Sequence, residues 1–343
     1  MRVHRRVSGP LVVLVCALAL VGCAAKPIDA PVAAVMDTKG RVVLVDLEKG
    51  VVADTVRLAT WPADICAEPS TGSFVTAQGG GVGSDADDRA AIIDVRGDRS
   101  VRYVELPRHN PCGVERVGDG LVVLDHGWEE KAGLFACSVD VRERRVVAEG
   151  YIEDNSSPLR QAAGRLWSSG VDVFSDARSL RRVDPATLSS AEVQAGDRLM
   201  RPECSVPGGM AGYLVGRDGG VELARFDPDT GAVEMTRAVE FTDGPGRMVC
   251  AGDRLVALDF SEEDLSSSGC RLLVFDAGTL ELEREIRLEG GPSDIEVWGD
   301  KVAAANWLDQ TLRLVDPATG AVAATVKLPE MVPLPLRVSV LDG

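Results

Sequence analysis

One short phrase recurs along this chain. RLVDPATGAV at 313–322 reads as a strand, a tight turn and a second strand, and RRVDPATLSS (181–190) and ARFDPDTGAV (224–233) repeat it. Weaker copies follow once the Asp that ends the first strand is used as the marker. Asp46, Asp94, Asp140, Asp184, Asp227, Asp276 and Asp316 all close short apolar runs, and each is followed by a turn and another alternating run. The seven copies lie about 45 residues apart, and such self-similarity limits the fold more than any composition does.

Proline supplies an independent count. Pro62, Pro111, Pro158, Pro202, Pro245, Pro292 and Pro335 each precede a further strand, where a fixed φ and a missing N–H are tolerated. Runs such as FVTAQ, LVVLD, LVALD and VAAAN then complete the unit. After residue 30 the chain shows alternating apolar runs broken by Gly, Asp and Pro, without long helical periods. Seven units of four strands predict an all-β, seven-bladed β-propeller. A sandwich leaves seven equal units unexplained, and a parallel β-helix needs shorter rungs. The chain begins at a second strand, 32–36, and ends with a lone first strand, 336–341. Pairing these two completes one blade and removes two open edges.

The unit from proline to PATG turn, best seen in PSDIEVWGDKVAAANWLDQTLRLVDPATGAVAATVKL (292–328), resembles the YVTN-type propeller repeats of bacterial surface proteins. The resemblance spans roughly 31–343 and implies a secreted or surface-attached protein. Here AAAN303–306 replaces the YVTN tetrapeptide, so it points to the wider propeller group. It specifies architecture, while function depends on whatever site the fold carries.

The N-terminus has the form of an export signal. Arg2, Arg5 and Arg6 precede the apolar run LVVLVCALALV (11–21), which is short for a membrane span. The sequence LVGC ending at Cys23 looks like a bacterial lipobox, which implies cleavage before Cys23 and lipidation of that residue. Residues 1–22 are thus expected as a lipoprotein signal peptide, 23–31 as a tether and 32–343 as the propeller. Arg5-Arg6 weakly resembles a twin-arginine signal, and the general secretory route is the default expectation. Removing the three signal arginines takes the formal net charge from −16 to −19. A field of that sign repels phosphate backbones and anionic headgroups. The expected location is therefore the extracytoplasmic face of a membrane, held by lipid alone, with no nucleic-acid partner.

Six cysteines remain beyond Cys23: Cys66, Cys112, Cys137, Cys204, Cys250 and Cys270. An even number in an exported chain suggests disulfides, and several pairings are open. Cys112–Cys137 and Cys250–Cys270 would leave Cys66 with Cys204; Cys66–Cys112 and Cys204–Cys250 are equally admissible. No CxxC, GxSxG, HExxH or P-loop motif is present. SDADD (84–88) offers oxygen ligands but lacks the glycine and distal glutamate of an EF-hand loop. No metal or cofactor is expected.

Aligned blades locate a candidate site at one mouth of the channel. Two residues after successive prolines stand Asp64, Gly113, Arg160, Cys204, Arg247, Asp294 and Arg337. Second strands end at Asp37, Gln78, Asp125, Ser169, Arg217, Asp259 and Asn306. This switch from apolar to polar marks either a hydrated rim or a ligand site. Asp64, Arg160, Arg217, Arg247, Asp294, Asn306, Trp307 and Arg337 are the candidate ligand contacts, because arginines grip carboxylates and phosphates and tryptophans stack on sugars. Trp61 and Trp128 are expected near the same rim. Long connections, 79–90 and 126–135 among them, should crowd this face.

The polar mouth, the long connections and the lack of a catalytic motif thus favour a non-catalytic binding or scaffolding propeller for a small anionic or sugar-like ligand or an envelope protein. The alternative is a propeller-type lactonase or lyase using mouth carboxylates with His109, Asp125 and His126.

Overall fold

The protein is described here by a computed structural model covering residues 27–79, 88–126, 133–153, 159–171, 178–242, 244–259, 270–331 and 336–342. The signal segment, Cys23, Trp128, Pro158, Pro335 and most of the long mouth connections lie outside these residues.

Seven four-stranded antiparallel sheets form the blades of a β-propeller, and no helix occurs among the described residues. Blade 7 shows the plan. Its strands Pro292–Trp298, Lys301–Asn306, Thr311–Val315 and Val322–Lys327 pair in chain order from the channel outward. The inner strands of blades 2 to 6 are Asp64–Glu68, Pro111–Gly118, Arg160–Ala162, Leu199–Val206 and Pro245–Ala251. Blade 1 is assembled from both ends of the chain. Arg337–Leu341 is its inner strand and pairs antiparallel with Val32–Met36, Met36 opposite Arg337 and Val32 opposite Leu341.

The burial pattern explains the composition of the strands. Side chains alternate faces along a strand, yet all five residues of Val32–Met36 are buried. Val32, Ala34 and Met36 pack toward blade 2, whereas Ala33 and Val35 pack toward blade 7. Each blade is therefore sandwiched on both faces, and seven apolar clusters fill the junctions. Outer strands lose this cover, and Val233–Ala238 is exposed along its whole length. That is why outer strands such as LEREIR (282–287) are polar.

The recurring Asp builds the turn between the two outermost strands. Asp316 Oδ1 accepts the N–H of Ala318 at 2.8 Å, and Thr319 Oγ1 donates to Asp316 Oδ2 at 2.8 Å. Gly320 then takes φ +77°, where a side chain is disfavoured. Asp227, Thr230 and Gly231 repeat the arrangement. In two copies leucine holds the glycine position. Leu188 and Leu280 adopt φ near +57° and +58°, and both are buried between blades. Their burial offsets a strain of roughly 1–2 kcal/mol.

Blade 5 departs from the proline rule. Its inner strand begins at Leu199, and Pro202 lies inside it opposite Gly212, at a bulge before Cys204. An inner strand has one open edge, so a missing N–H is tolerated there. Gly212 completes the fit, since a Cβ would stand 1.9 Å from the Arg201 carbonyl oxygen. Cys204 consequently sits deeper than the mouth position expected from its spacing after Pro202.

Candidate functional site

Seven inner strands expose one backbone edge each to the channel, and their N–H groups need acceptors. Carboxylates of the preceding blade provide several. Asp64 accepts from Val114 N–H at 3.3 Å and Asp294 from Val338 N–H at 2.9 Å, while Glu68 accepts from Gly120 N–H at 3.1 Å in the turn that follows the inner strand of blade 3. Blade 3 has Gly113 where blades 2 and 7 have Asp64 and Asp294. There Asp125, opposite Gly113 in the next strand, turns into the vacant space and accepts from Leu159 N–H at 3.2 Å. A Cβ on residue 113 would lie 2.6 Å from the Asp125 carboxylate.

Below this level the channel holds a set of paired charges. Arg160 Nη1 meets Glu115 at 3.2 Å and its Nε meets Glu203 at 3.2 Å, while Arg201 reaches the other Glu203 oxygen at 3.0 Å. On the far side Arg247 pairs with Glu296 at 2.6 Å and Asp294 at 3.5 Å. The spacing from the prolines identifies Arg160, Arg247 and Asp294 but misses Glu115, Glu203 and Glu296. A readable signal exists: each is an acid in the middle of an inner strand, flanked there by apolar residues such as Val114, Ile295 and Val297.

Burial governs the titration of Glu115, Asp125 and Glu296. It pushes Glu115 up to about 7, despite the opposing pull of Arg160 and Arg247, and Asp64 and Asp125 add to the rise. Burial likewise pushes Asp125 up to about 6, against the N–H of Leu159 and the charge of Arg160. Glu296 is also raised, by burial and against Arg247. A carboxyl with a raised folded value favours folding while protonated, so its contribution is present in acid and lost as pH rises. For Glu115 the loss runs from its ordinary 4.5 to about 7. About a fifth of the Glu115 side chain remains exposed (21%), which limits the effect to roughly 2 kcal/mol. Glu115→Gln should therefore gain stability relative to the parent by about that amount between pH 5 and pH 8. Urea denaturation at the two pH values tests this; a pH-independent difference would remove Glu115 as the titrating group.

The mouth residues divide into braces and exposed groups. Asp64 and Asp294 brace neighbouring blades, as above. Asn306 is fully buried, its amide donating to the Ala304 carbonyl at 2.9 Å. Trp307 is half-buried against the cluster between blades 7 and 1. Asp37 and Asp259 are buried and tie down rim loops through the N–H groups of Lys39, Arg41 and Thr242. Arg217 and Arg337 are exposed, and Trp61 is 48% exposed. Arg337 makes no ion pair among the described residues.

The histidines do not converge with Asp125. His126 is buried, its Nδ1–H donating to the His109 carbonyl at 2.9 Å and its Nε2 facing the Cys137 sulfur at 3.6 Å. Asp125 and His126 are successive strand residues and point to opposite faces of the blade. The His109 ring is exposed and lies 3.7 Å from Asp88. Burial pushes the Cys137 thiol up to about 12, so the Cys137–His126 contact holds a neutral thiol. No group of three or more His, Cys, Asp or Glu side chains is arranged for a metal among the described residues. On the opposite face a groove of about 450 Å³ lies between blades 3 and 4, lined by Val117, Arg165 and Arg182. Arg165 is occupied there by Asp229 and the Pro228 carbonyl.

No disulfide joins the six cysteines in this structure. Strand register rules out the two same-blade pairings. Cys250 lies opposite Leu255, at the far end of blade 6 from Asp259 and Arg271, which adjoins Cys270. Five residues of strand separate the two levels, roughly 16 Å, far beyond disulfide reach. Cys112 and Cys137 belong to the first and third strands of blade 3, with Leu121–His126 between them. Two strand spacings again exceed the permitted separation.

No protein-family profile matches the chain, and no curated protein does. Solved structures share the fold. A 6-phosphogluconolactonase candidate from Bacteroides fragilis superposes with a TM-score of 0.63 at 13% identity, covering 92% of this chain and 99% of its own. AztD from Citrobacter koseri gives 0.56 at 15% identity, with 92% and 98% covered. A functionally unknown protein from Desulfotomaculum acetoxidans gives 0.63 at 11% identity, with 91% and 99% covered. At these identities the likeness is one of fold.

Proposed function

We propose that this chain is a non-catalytic binding or scaffolding propeller, held by a lipid on Cys23 at the extracytoplasmic face of a bacterial membrane. Its ligand is a small anionic or sugar-like molecule, or an anionic segment of an envelope protein, docking at the channel mouth. The supporting observation is the pairing state of three of the candidate arginines. Arg160 and Arg247 are committed to carboxylates inside the channel, whereas Arg337 stands exposed at the rim without an ion pair among the described residues. In a chain this acidic, an uncommitted guanidinium at the mouth is a local exception that suits an anion. Trp61 and Trp307 lie at the same rim and offer flat surfaces for stacking.

Paired native and denaturing mass spectrometry of the exported chain tests this reading. Added mass in the native spectrum alone is expected for the parent and should be absent from Arg337→Glu. A native mass equal to the bare chain in both would sink the tight-ligand form. Cys23→Ala should move the protein from the membrane fraction to the soluble fraction; continued membrane attachment would refute the lipid anchor. A lactonase or lyase is the second reading, supported by the fold shared with the Bacteroides fragilis protein. Turnover of a sugar-phosphate lactone that disappears in Asp125→Asn would favour it over binding alone.

A further inference from the structure

Two cysteines that lie a full repeat apart in sequence stand at the same depth on adjacent blades. Cys204 lies on the inner strand of blade 5 opposite Ala211, four residues from the mouth end of that second strand at Val215. Cys250 lies on the inner strand of blade 6 opposite Leu255, likewise four residues from Asp259. Both half-buried side chains pack on one apolar cluster, the one filling the gap between these two blades with Tyr213, Leu223, Leu255 and Phe275. Cys204 therefore faces blade 6, and Cys250 faces blade 5. Burial pushes the Cys204 thiol well above its usual range, and Cys250 is the foremost neighbouring charge adding to that rise. Cys66 is placed differently, since its foremost charged neighbours are Glu115, Asp64 and Glu68.

We propose that Cys204 and Cys250 are a redox-active pair that closes to a disulfide, joining blades 5 and 6 beside the channel. The oxidant is an external disulfide, either a small molecule or a thiol–disulfide oxidoreductase. One thiol loses its proton and attacks a sulfur of that disulfide, expelling a thiolate and leaving a mixed disulfide on the protein. The second thiol loses its proton, attacks the protein-bound sulfur and expels the remaining thiolate. Two S–H bonds break, one protein S–S bond forms, and the two electrons reduce the external disulfide to two thiols. Burial raises both thiols, Cys204 the further, so Cys250 is the first to attack and exchange is slow at neutral pH. The bond adds a covalent tie to a junction held by apolar packing, the Tyr213 hydroxyl on the Gly246 carbonyl and the Arg237–Glu281 pair, which restricts opening of the ring there.

The full chain should be incubated with oxidised glutathione, alkylated in denaturant and digested. A cross-linked peptide carrying Cys204 and Cys250, lighter by two hydrogens and split by reductant, is expected. The melting temperature of the oxidised protein should fall by roughly 5 °C or more on reduction. Cys250→Ser should abolish that reductant-dependent shift. Recovery of both residues as alkylated thiols after oxidation, or a bridge from either to another cysteine, would overturn the proposal. So would an undiminished reductant-dependent shift in Cys250→Ser.

Discussion

A chain that stops before Leu336 should fail to hold a closed ring. Its last strand supplies the inner edge of blade 1, and Leu336, Val338 and Leu341 are each almost wholly buried. Removing them exposes about 1.5–3 kcal/mol of apolar contact per side chain. It also opens both Val32–Met36 and the inner face of blade 7, and the brace from Asp294 to Val338 is lost. The total, on the order of 5 kcal/mol or more, is comparable to the whole stability of an ordinary domain. The truncated chain should melt at much lower temperature, without a single cooperative transition, and should self-associate through its open edge. Calorimetry with light scattering checks this. A parent-like transition and a monomeric state would show that closure contributes little.

The second large effect is expected inside the channel. Arg160 links Glu115 to Glu203, and the Glu203 side chain is only 2% exposed. Arg160→Met leaves that carboxylate with Arg201 alone and Glu115 without its nearest cation. Breaking one side of a buried charge network costs about 3–5 kcal/mol, because the remaining charge keeps its desolvation penalty. Denaturation at pH 7 should show a loss of about 3 kcal/mol, the lower end, since a third of Arg160 is exposed. Adding Glu203→Gln should restore part of it, and lowering the pH to 5 should restore more, because Glu115 is then protonated. A loss that neither change reverses would mean that Arg160 acts through packing rather than charge. The same experiment bears on function, since an arginine already needed by two carboxylates is a poor candidate for holding a third from a ligand.

Much of the architecture was legible in the repeat because local chemistry writes it. The Asp316, Asp227 and Asp184 turns depend on hydrogen bonds within a few residues, so their signature survives as a linear motif. Prolines marked inner strands for a similar reason, and failed at Pro202, where an open strand edge tolerates proline in mid-strand. The candidate site was less legible. Periodicity placed Asp64, Arg160, Arg247 and Asp294 toward the axis, but not their partners. Glu115, Glu203 and Glu296 escaped a search confined to the mouth, although each is an acid within an inner strand. Asp125 and His126 looked like neighbours fit for catalysis, and strand alternation sent them to opposite faces.

Sequence alone thus determined the number of blades, the order of strands within each, the mixed origin of the closing blade and the polar character of the channel rim. These follow from periods, turns and strand ends, which are properties of neighbours along the chain. Only the tertiary structure decided which arginines are already paired, which acids burial pushes above their ordinary range, and which cysteines share one junction. Those outcomes depend on contacts between inner strands brought together from different blades around one axis. Closing the ring sets these separations and reduces the solvent exposure that would otherwise have screened the charges.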